Sequence, residues 1–478
     1  SKFIMADVEK GDRVIELDDA SIFNDGDFIK LYVHTDDMIV ANGFYRKKYV
    51  LYKEGGSWSF SHQAVYLIES VDGNFITLSQ PIRFSFKKPD DLNTTLGTFV
   101  RPMQMIQNCG VEGMTITSDK FYDKMETSGI SFEAVYACWI QDVKFIKAGS
   151  LPYNIVKAKN VEVRDIDVQY SWNMGGGGNG YLVQWYTSDG LVEDITVDSL
   201  RHAPVFQGYA NGCVTRNSTF TRQNGDWHGG WTVENLYENC TMFKDASEET
   251  SGLNALSSNR LNDEFDGHQP HLHGQVIYNC DLEIDRPQCE SVRPGGLHDN
   301  WIWAYNKIEN YDQESPVLIG DYADGLIFKG NYIAMENYTG KADEYGVHFW
   351  DTGWDTTNLE YSASEDTHYE SIIFEDNTFY GIPASKLWSR TTGNVGNALT
   401  DNNNTVVEAY SDPGKPTPAI PSIYQYQKDM KANQPNVQFT APTSILQSSD
   451  FTVTVTADAS NNTYGSLAKI VLYDGETE

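Results

Sequence analysis

From Val111 to Phe379 the chain repeats one phrase: an apolar residue, two others, a small or apolar residue, one more, then a second apolar residue. It reads Val111, Met114, Ile116; Ile140, Val143, Phe145; Val163, Ile166, Val168; Val192, Ile195, Val197. It continues as Thr215, Ser218, Phe220; Tyr237, Cys240, Met242; Ile277, Cys280, Leu282. Trp303, Asn306, Ile308; Phe328, Asn331, Ile333; and Phe374, Asn377, Phe379 complete it. Successive copies stand 29, 23, 29, 23, 22, 40, 26, 25 and 46 residues apart. A period in the low twenties with tolerated insertions marks a solenoid, and apolar positions two apart suit strands. The expected fold is therefore all-β, a right-handed parallel β-helix whose insertions loop out at its corners. Asn at 306, 331 and 377 predicts an internal ladder of stacked, hydrogen-bonded amides.

The flanks break this rhythm. Residues 1–100 hold short strands with turns, such as Gly11–Leu17, Gly26–Leu31 and Val71–Leu78, and predict a small β-subdomain capping the N-terminal end of the coil. Residues 101–410 carry the repeats and form the expected catalytic domain, with insertions near 245–270 and 338–368. A proline-rich linker follows over 411–435. Residues 436–478 alternate like the first half of an immunoglobulin-like β module, expected to be a truncated accessory unit.

A net charge of −32 argues against nucleic acid as a partner. No apolar run reaches the length of about 18 residues that a membrane span needs, so no membrane partner is expected. No signal peptide is visible, and Ser1 reads as the start of a processed or trimmed chain. None of the six cysteines forms a Cys-x-x-Cys pair, so a zinc ribbon is not expected, and Cys240 and Cys280 read as buried free thiols.

Candidate chemistry gathers between Asn224 and His273. Two Asp-x-His triplets, Asp226–His228 and Asp266–His268, lie 11 and 9 residues before the ladder positions Tyr237 and Ile277. Equal register predicts vertical stacking of Asp226 on Asp266 at about the 4.8 Å strand spacing. Such carboxyls would be coupled, one pKa would rise, and the pair would suit glycosidic bond cleavage. Asp226, His228, Asp266, His268 and Glu264 are thus the catalytic candidates. Substrate-binding candidates are Arg201, His202, Glu249, Arg260, Asp263, His271, His273, Arg293 and His298, with Trp227 and Trp231 as flat surfaces for sugar rings. No metal ligand set is assigned. Calcium held by Asp and Glu loops is the ion such stretches favour, and no organic cofactor is expected.

The rung pattern, the Gly-Asp turns of the N-terminal strands and the immunoglobulin-like tail resemble secreted bacterial right-handed parallel β-helix enzymes that act on polysaccharides, over about residues 10–410. The Asn-Thr-Asp and Arg-Ile-Lys strings of polygalacturonases and the Trp-Ile-Asp-His string of pectate lyases are absent. The resemblance then implies a less common family, similar to marine galactan (agar) and carrageenan hydrolases, acting outside the cell as a monomer on a polysaccharide or oligosaccharide. Between residues 220 and 275 the bases are Arg222, Lys244 and Arg260, against nine acids. That balance favours a neutral glycan and a glycoside hydrolase. The alternatives are a calcium-assisted polysaccharide lyase and a non-catalytic glycan-binding adhesin or spike.

Overall fold

The structure is a computed structural model. It describes residues 1–33, 62–88, 98–118, 128–147, 149–172, 179–185, 187–228, 231–245, 254–258, 273–286, 291–294, 300–312, 314–320, 323–349, 369–389, 397–432, 436–440 and 454–458. Its contacts divide into two compact units, Ser1–Pro418 and Ala419–Glu478.

The first unit is built on a parallel β-solenoid. Each repeat pairs with the next in the register read from the sequence: Val111, Met114 and Ile116 lie beside Ile140, Val143 and Phe145, which lie beside Val163, Ile166 and Val168. The same three columns run on to Phe328 beside Phe374 and Ile333 beside Phe379. One further rung, Leu399–Asn402 and Thr405–Val407, follows without the apolar signature, placing Asp401 beside Phe374.

Three inward positions at spacings of three and two cannot belong to one straight strand, where faces alternate. A left-handed residue resolves this. Asp142, Asp165, Asp194, Asn217, Asn239, Asn279, Tyr305, Asp376 and Asn403 all have φ between 50° and 56°, and Gly113 and Gly330 fill the same place. Asn, Asp and Gly tolerate this conformation best. Each rung bends there, so Ile140, Val143 and Phe145 all point inward.

The expected amide ladder is present and longer than predicted. Asn306 Nδ2 donates to Asn331 Oδ1 at 3.1 Å, Asn331 Nδ2 to Asn377 Oδ1 at 2.9 Å, and Asn377 Nδ2 to Asn404 Oδ1 at 2.9 Å. Each amide oxygen also accepts a backbone N–H from the rung before, as Asn306 Oδ1 does from Cys280 at 2.8 Å. These buried polar groups are thereby satisfied inside an apolar core. Beside them Trp303, Phe328 and Phe374 stack at centroid separations of 5.5 and 4.5 Å. Cys138, Cys213, Cys240 and Cys280 are buried free thiols, and Cys109 is an exposed one.

A second parallel sheet closes the other side of the coil. In order it comprises Ser128–Glu133, Leu151–Val156, Tyr181–Trp185, His202–Gln207, Gly225–Trp227, Leu256–Ser258, Val292–Arg293, Val317–Ile319 and Val347–Phe349. The supposed insertions therefore contribute strands: Leu256–Ser258 and Val347–Phe349 fall inside them.

The N-terminal residues form a six-stranded antiparallel sheet, in the order Lys2–Phe3, Phe99–Met103, Phe28–Val33, His62–Asp72, Phe75–Leu78 and Val14–Glu16. Its core takes in Tyr209, Trp231 and Val233 of the coil, so it lies along a flank of middle rungs. The first rung, Gly110–Thr117, is mostly exposed, with Met114 45% accessible, so the expected cover over that end is not where the sheet packs. Arg83 fastens the flank. It pairs with Asp189 and Glu234, while Lys159 also reaches Asp189 and Lys10 reaches Glu234.

Residues 411–418 belong to the coil's unit: Asp412 pairs with Lys307, and Lys415 with Asp281. The second unit contains a helix, Ile423–Ala432, inside the expected linker, and an antiparallel pair, Asn436–Thr440 with Thr454–Asp458. The expected strand near Ile470–Tyr473 lies outside the described residues. No helix among the described residues is long and apolar enough to cross a membrane, which says nothing of a β-barrel.

Candidate functional site

The outer face of the second sheet carries an unusual set of side chains. Gly225 and Trp227 face the core: a Cβ on Gly225 would stand 3.0 Å from Leu256, and Trp227 is fully buried against Trp301 and Tyr237. Strand alternation then turns Asn224, Asp226 and His228 outward. One rung earlier the register shifts between Tyr181 and Val183, so His202 and Val205 span one residue more than their partners. That bulge keeps His202 and Val205 on one face although they are three residues apart.

The result is a compact cluster. Tyr181 Oη and His228 Nε2 are 2.9 Å apart. The His202 ring meets Tyr181 edge-on at 4.6 Å and His228 at 5.2 Å. The Arg201 guanidinium lies 5.8 Å from the Tyr181 ring centre. His202 Nδ1 is held by Asn224, whose Nδ2 is at 3.1 Å.

Asp226 is wholly buried. Ser257 Oγ donates to its Oδ1 at 3.2 Å, and its Oδ2 has no hydrogen-bond partner among the described residues. Burial pushes the Asp226 carboxyl well above the usual carboxylate range, against the opposing pull of the Ser257 hydrogen bond and the Arg201 charge. The cluster therefore joins a carboxyl whose pKa burial raises to a tyrosine–histidine pair and an arginine.

The donor atoms of His202, Asp226 and His228 lie within 4.8 Å of one another, the only such group of three among the described residues. Two imidazoles and one carboxylate suit a transition ion better than calcium, and an ion would have to displace the Asp226 proton.

The structure thus brings Arg201, His202, Asp226 and His228 together. It adds Tyr181, Asn224 and Ser257, which the sequence reading missed; tracking the second strand of each rung would have found Tyr181, since it pairs with His202. The expected stacking of Asp226 on Asp266 is overturned. Asp226 lies between Val205 and Ser257, with Arg293 next beyond, because a strand within the supposed loop takes the neighbouring position. Trp227 and Trp231 are corrected as well. Trp227 donates to Gln275 at 3.1 Å inside the coil, and Trp231 fills the core beneath the N-terminal sheet, so neither offers a face to sugar. His273 sits in the flank, its Nε2 2.9 Å from the Arg83 carbonyl and 3.9 Å from Glu234. Glu249, Arg260, Asp263, Glu264, Asp266, His268, His271 and His298 lie outside the described residues.

No protein-family model and no curated protein matches the chain. Solved structures do. The tailspike protein gp49 from Pseudomonas phage LKA1 is similar over 86% of this chain and 62% of its own, at 11% identity and a TM-score of 0.50. The chain thus spans less than two thirds of that tailspike, and at such identity the likeness establishes the β-helical fold alone. The mannuronan C-5 epimerase AlgE6 A-module of Azotobacter vinelandii matches over 64% of this chain and 81% of its own, at 14% identity and a TM-score of 0.35. The gp54 tailspike of Acinetobacter baumannii bacteriophage AP22, solved with a capsular saccharide, matches over 93% and 68%, at 12% identity and a TM-score of 0.35. The last two scores are too low to carry an argument.

Proposed function

We propose that this chain is a polysaccharide-degrading enzyme, acting outside the cell, that cleaves a uronate-containing glycan by β-elimination at Tyr181, Arg201, His202, Asp226 and His228. The observation that carries this reading is the 2.9 Å contact between Tyr181 Oη and His228 Nε2 beside the wholly buried Asp226 carboxyl. Elimination needs three things: a group that neutralises the uronate carboxylate, a base for the neighbouring carbon-bound proton, and an acid for the departing oxygen. Protonated Asp226 and Arg201 serve the first, by donating to the carboxylate and to the enolate that forms. His228 takes the carbon-bound proton as the C–O bond breaks and the double bond forms. Tyr181 gives its phenolic proton to the leaving oxygen, and the imidazolium then returns its proton to the phenolate across their hydrogen bond. His202 holds the pair from its edge.

The sequence points to hydrolysis through paired carboxylates and an acidic window. Asp226 has Val205 and Ser257 as its column neighbours, and among the described residues Arg201, His202 and His228 are ionisable side chains grouped with it. Hydrolysis stands second, favoured by the complete burial of Asp226, which raises its carboxyl and suits a general acid.

Incubation with alginate, polygalacturonate, carrageenan and agarose separates these readings. Elimination yields the ultraviolet absorbance of a new conjugated double bond, whereas reducing ends without that absorbance mean hydrolysis. Tight binding with neither signal would leave a glycan-binding spike and remove the catalytic proposal.

A further inference from the structure

The outer face of the ladder sheet carries a hollow at the exposed end of the coil. It has a volume of about 550 Å³ and is lined by Glu112, Trp139, Gln141, Asn160, Glu162 and Arg164, with Ala137 and Cys138 at its floor. None of these belongs to the Asp226 cluster, which lies on the other sheet.

Register explains how the hollow is made. Gly110, Trp139 and Glu162 form one column across three rungs, and Glu112, Gln141 and Arg164 form another two residues along. Inward Ile140 separates the columns, so both face outward. With rungs about 4.8 Å apart and alternate residues about 7 Å apart, this grid measures about 10 by 7 Å, the size of one or two pyranose rings.

Trp139 lies over Gly110. A Cβ there would stand 2.0 Å from the indole Cε2, so any other residue would push the ring away. The glycine lets the indole rest on the backbone while remaining half-exposed. Around this flat surface stand a carboxylate, a carboxamide and a guanidinium, the planar groups that pair with vicinal hydroxyls. Arg164 is already paired with Glu162 and lies 3.7 Å from Glu193, and Gln141 donates to Asp165 at 3.3 Å. With its cation engaged and Glu112 in excess, the hollow disfavours an anionic sugar.

The geometry points to a non-catalytic binding site for a neutral oligosaccharide, with a pyranose ring stacked on Trp139 and its hydroxyls held by Glu112, Gln141 and Asn160. The site is independent of the elimination reading and stands whether or not that reading does.

The test is calorimetry and saturation-transfer NMR on the full chain, with cellohexaose, maltohexaose, xylohexaose and neoagarohexaose as neutral probes and hexagalacturonate as the anionic one. At least one neutral hexasaccharide binds the wild-type protein. Trp139→Ala weakens it about tenfold, Trp139→Phe restores part of that loss, and His228→Ala leaves it unchanged. Gln141→Ala, on the surface and outside the core, weakens it as well should Trp139→Ala fail to fold. The inference is overturned if no neutral probe binds, or if both the Trp139 and Gln141 variants bind as wild type. Tighter binding of hexagalacturonate at this site overturns it too. Absence of polysaccharide cleavage would remove the elimination reading and leave these results standing.

Discussion

Two polar clusters stand on this coil, one partly buried and one built round a wholly buried acid, and their carboxyl groups shift in opposite directions. At the flank, burial alone would raise the carboxyls of Asp189 and Glu234, but cations outweigh it: Lys159 and Arg83 for the first, Lys10 and Arg83 for the second. Both therefore ionise more readily than usual, and the cluster is an internal fastening between the N-terminal sheet and the rungs. On the second sheet, among the described residues, Asp226 has one hydroxyl donor and one nearby guanidinium, and burial prevails. Asp189 and Glu234 stand at left-handed positions and are partly exposed, whereas Asp226 lies in a strand and is wholly buried, so depth and neighbouring cations together set the opposite directions of their carboxyls.

The comparison can be broken most directly at His228. His228→Ala is expected to lower turnover about a thousandfold on any glycan the enzyme cleaves, with little change in melting temperature. The mirror image is Arg83→Met, which leaves two carboxylates short of a cation. It should cost about 3 kcal/mol of stability by denaturant titration, while turnover per folded molecule is kept. Loss of turnover there without loss of stability would erase the distinction between the clusters.

Asp226→Asn sharpens it. A folded-state pKa raised above the unfolded value means that the native protein holds the extra proton, so stability falls as pH rises from the usual carboxylate range toward the raised value. The amide carries no such penalty. The variant should melt higher than wild type at neutral pH and show no gain below about pH 4. Its N–H can still donate, so elimination should survive within about tenfold, whereas a general acid for hydrolysis would be lost by about a hundredfold. At the flank the sign reverses. The lowered carboxyls of Asp189 and Glu234 contribute stability above their ordinary range, and that contribution disappears as acid protonates them, so Arg83→Met should flatten the acid limb of the stability profile. The smallest effect is expected at the ladder's end, where Asn404→Ala should cost about 1 kcal/mol by removing the acceptor for Asn377.

The ladder columns were legible in the sequence because burying three side chains per rung leaves a recurring apolar signature. The left-handed corner was not read, although Asp, Asn or Gly precedes the middle position in every rung but the one with Tyr305, because hydrophobicity alone does not reveal a backbone requirement. The second sheet was harder. Gly225–Trp227 and Leu256–Ser258 are three-residue strands with no periodicity to count. The register carried back from Tyr237 and Ile277 therefore paired Asp226 with the wrong residue. Four members of the cluster were found from residue type and crowding, whereas Tyr181 needed the rung-to-rung pairing. Trp227 and Trp231 show the limit of composition: tryptophan near a site is as useful inside a coil as on it, and only burial separates the two.

The uncovered first rung has a dynamic consequence. Among the described residues, Gly110–Thr117 is bonded to a neighbour on one side only, through Trp139–Ile146. A stack of this kind frays like rope from its cut end, since each turn is secured chiefly by the turns it touches. Amide exchange should be fast at that rung and slow over the rungs next to it. A sugar laid across Gly110, Trp139 and Glu162 would act as whipping on that rope, binding three strands together and slowing the unravelling.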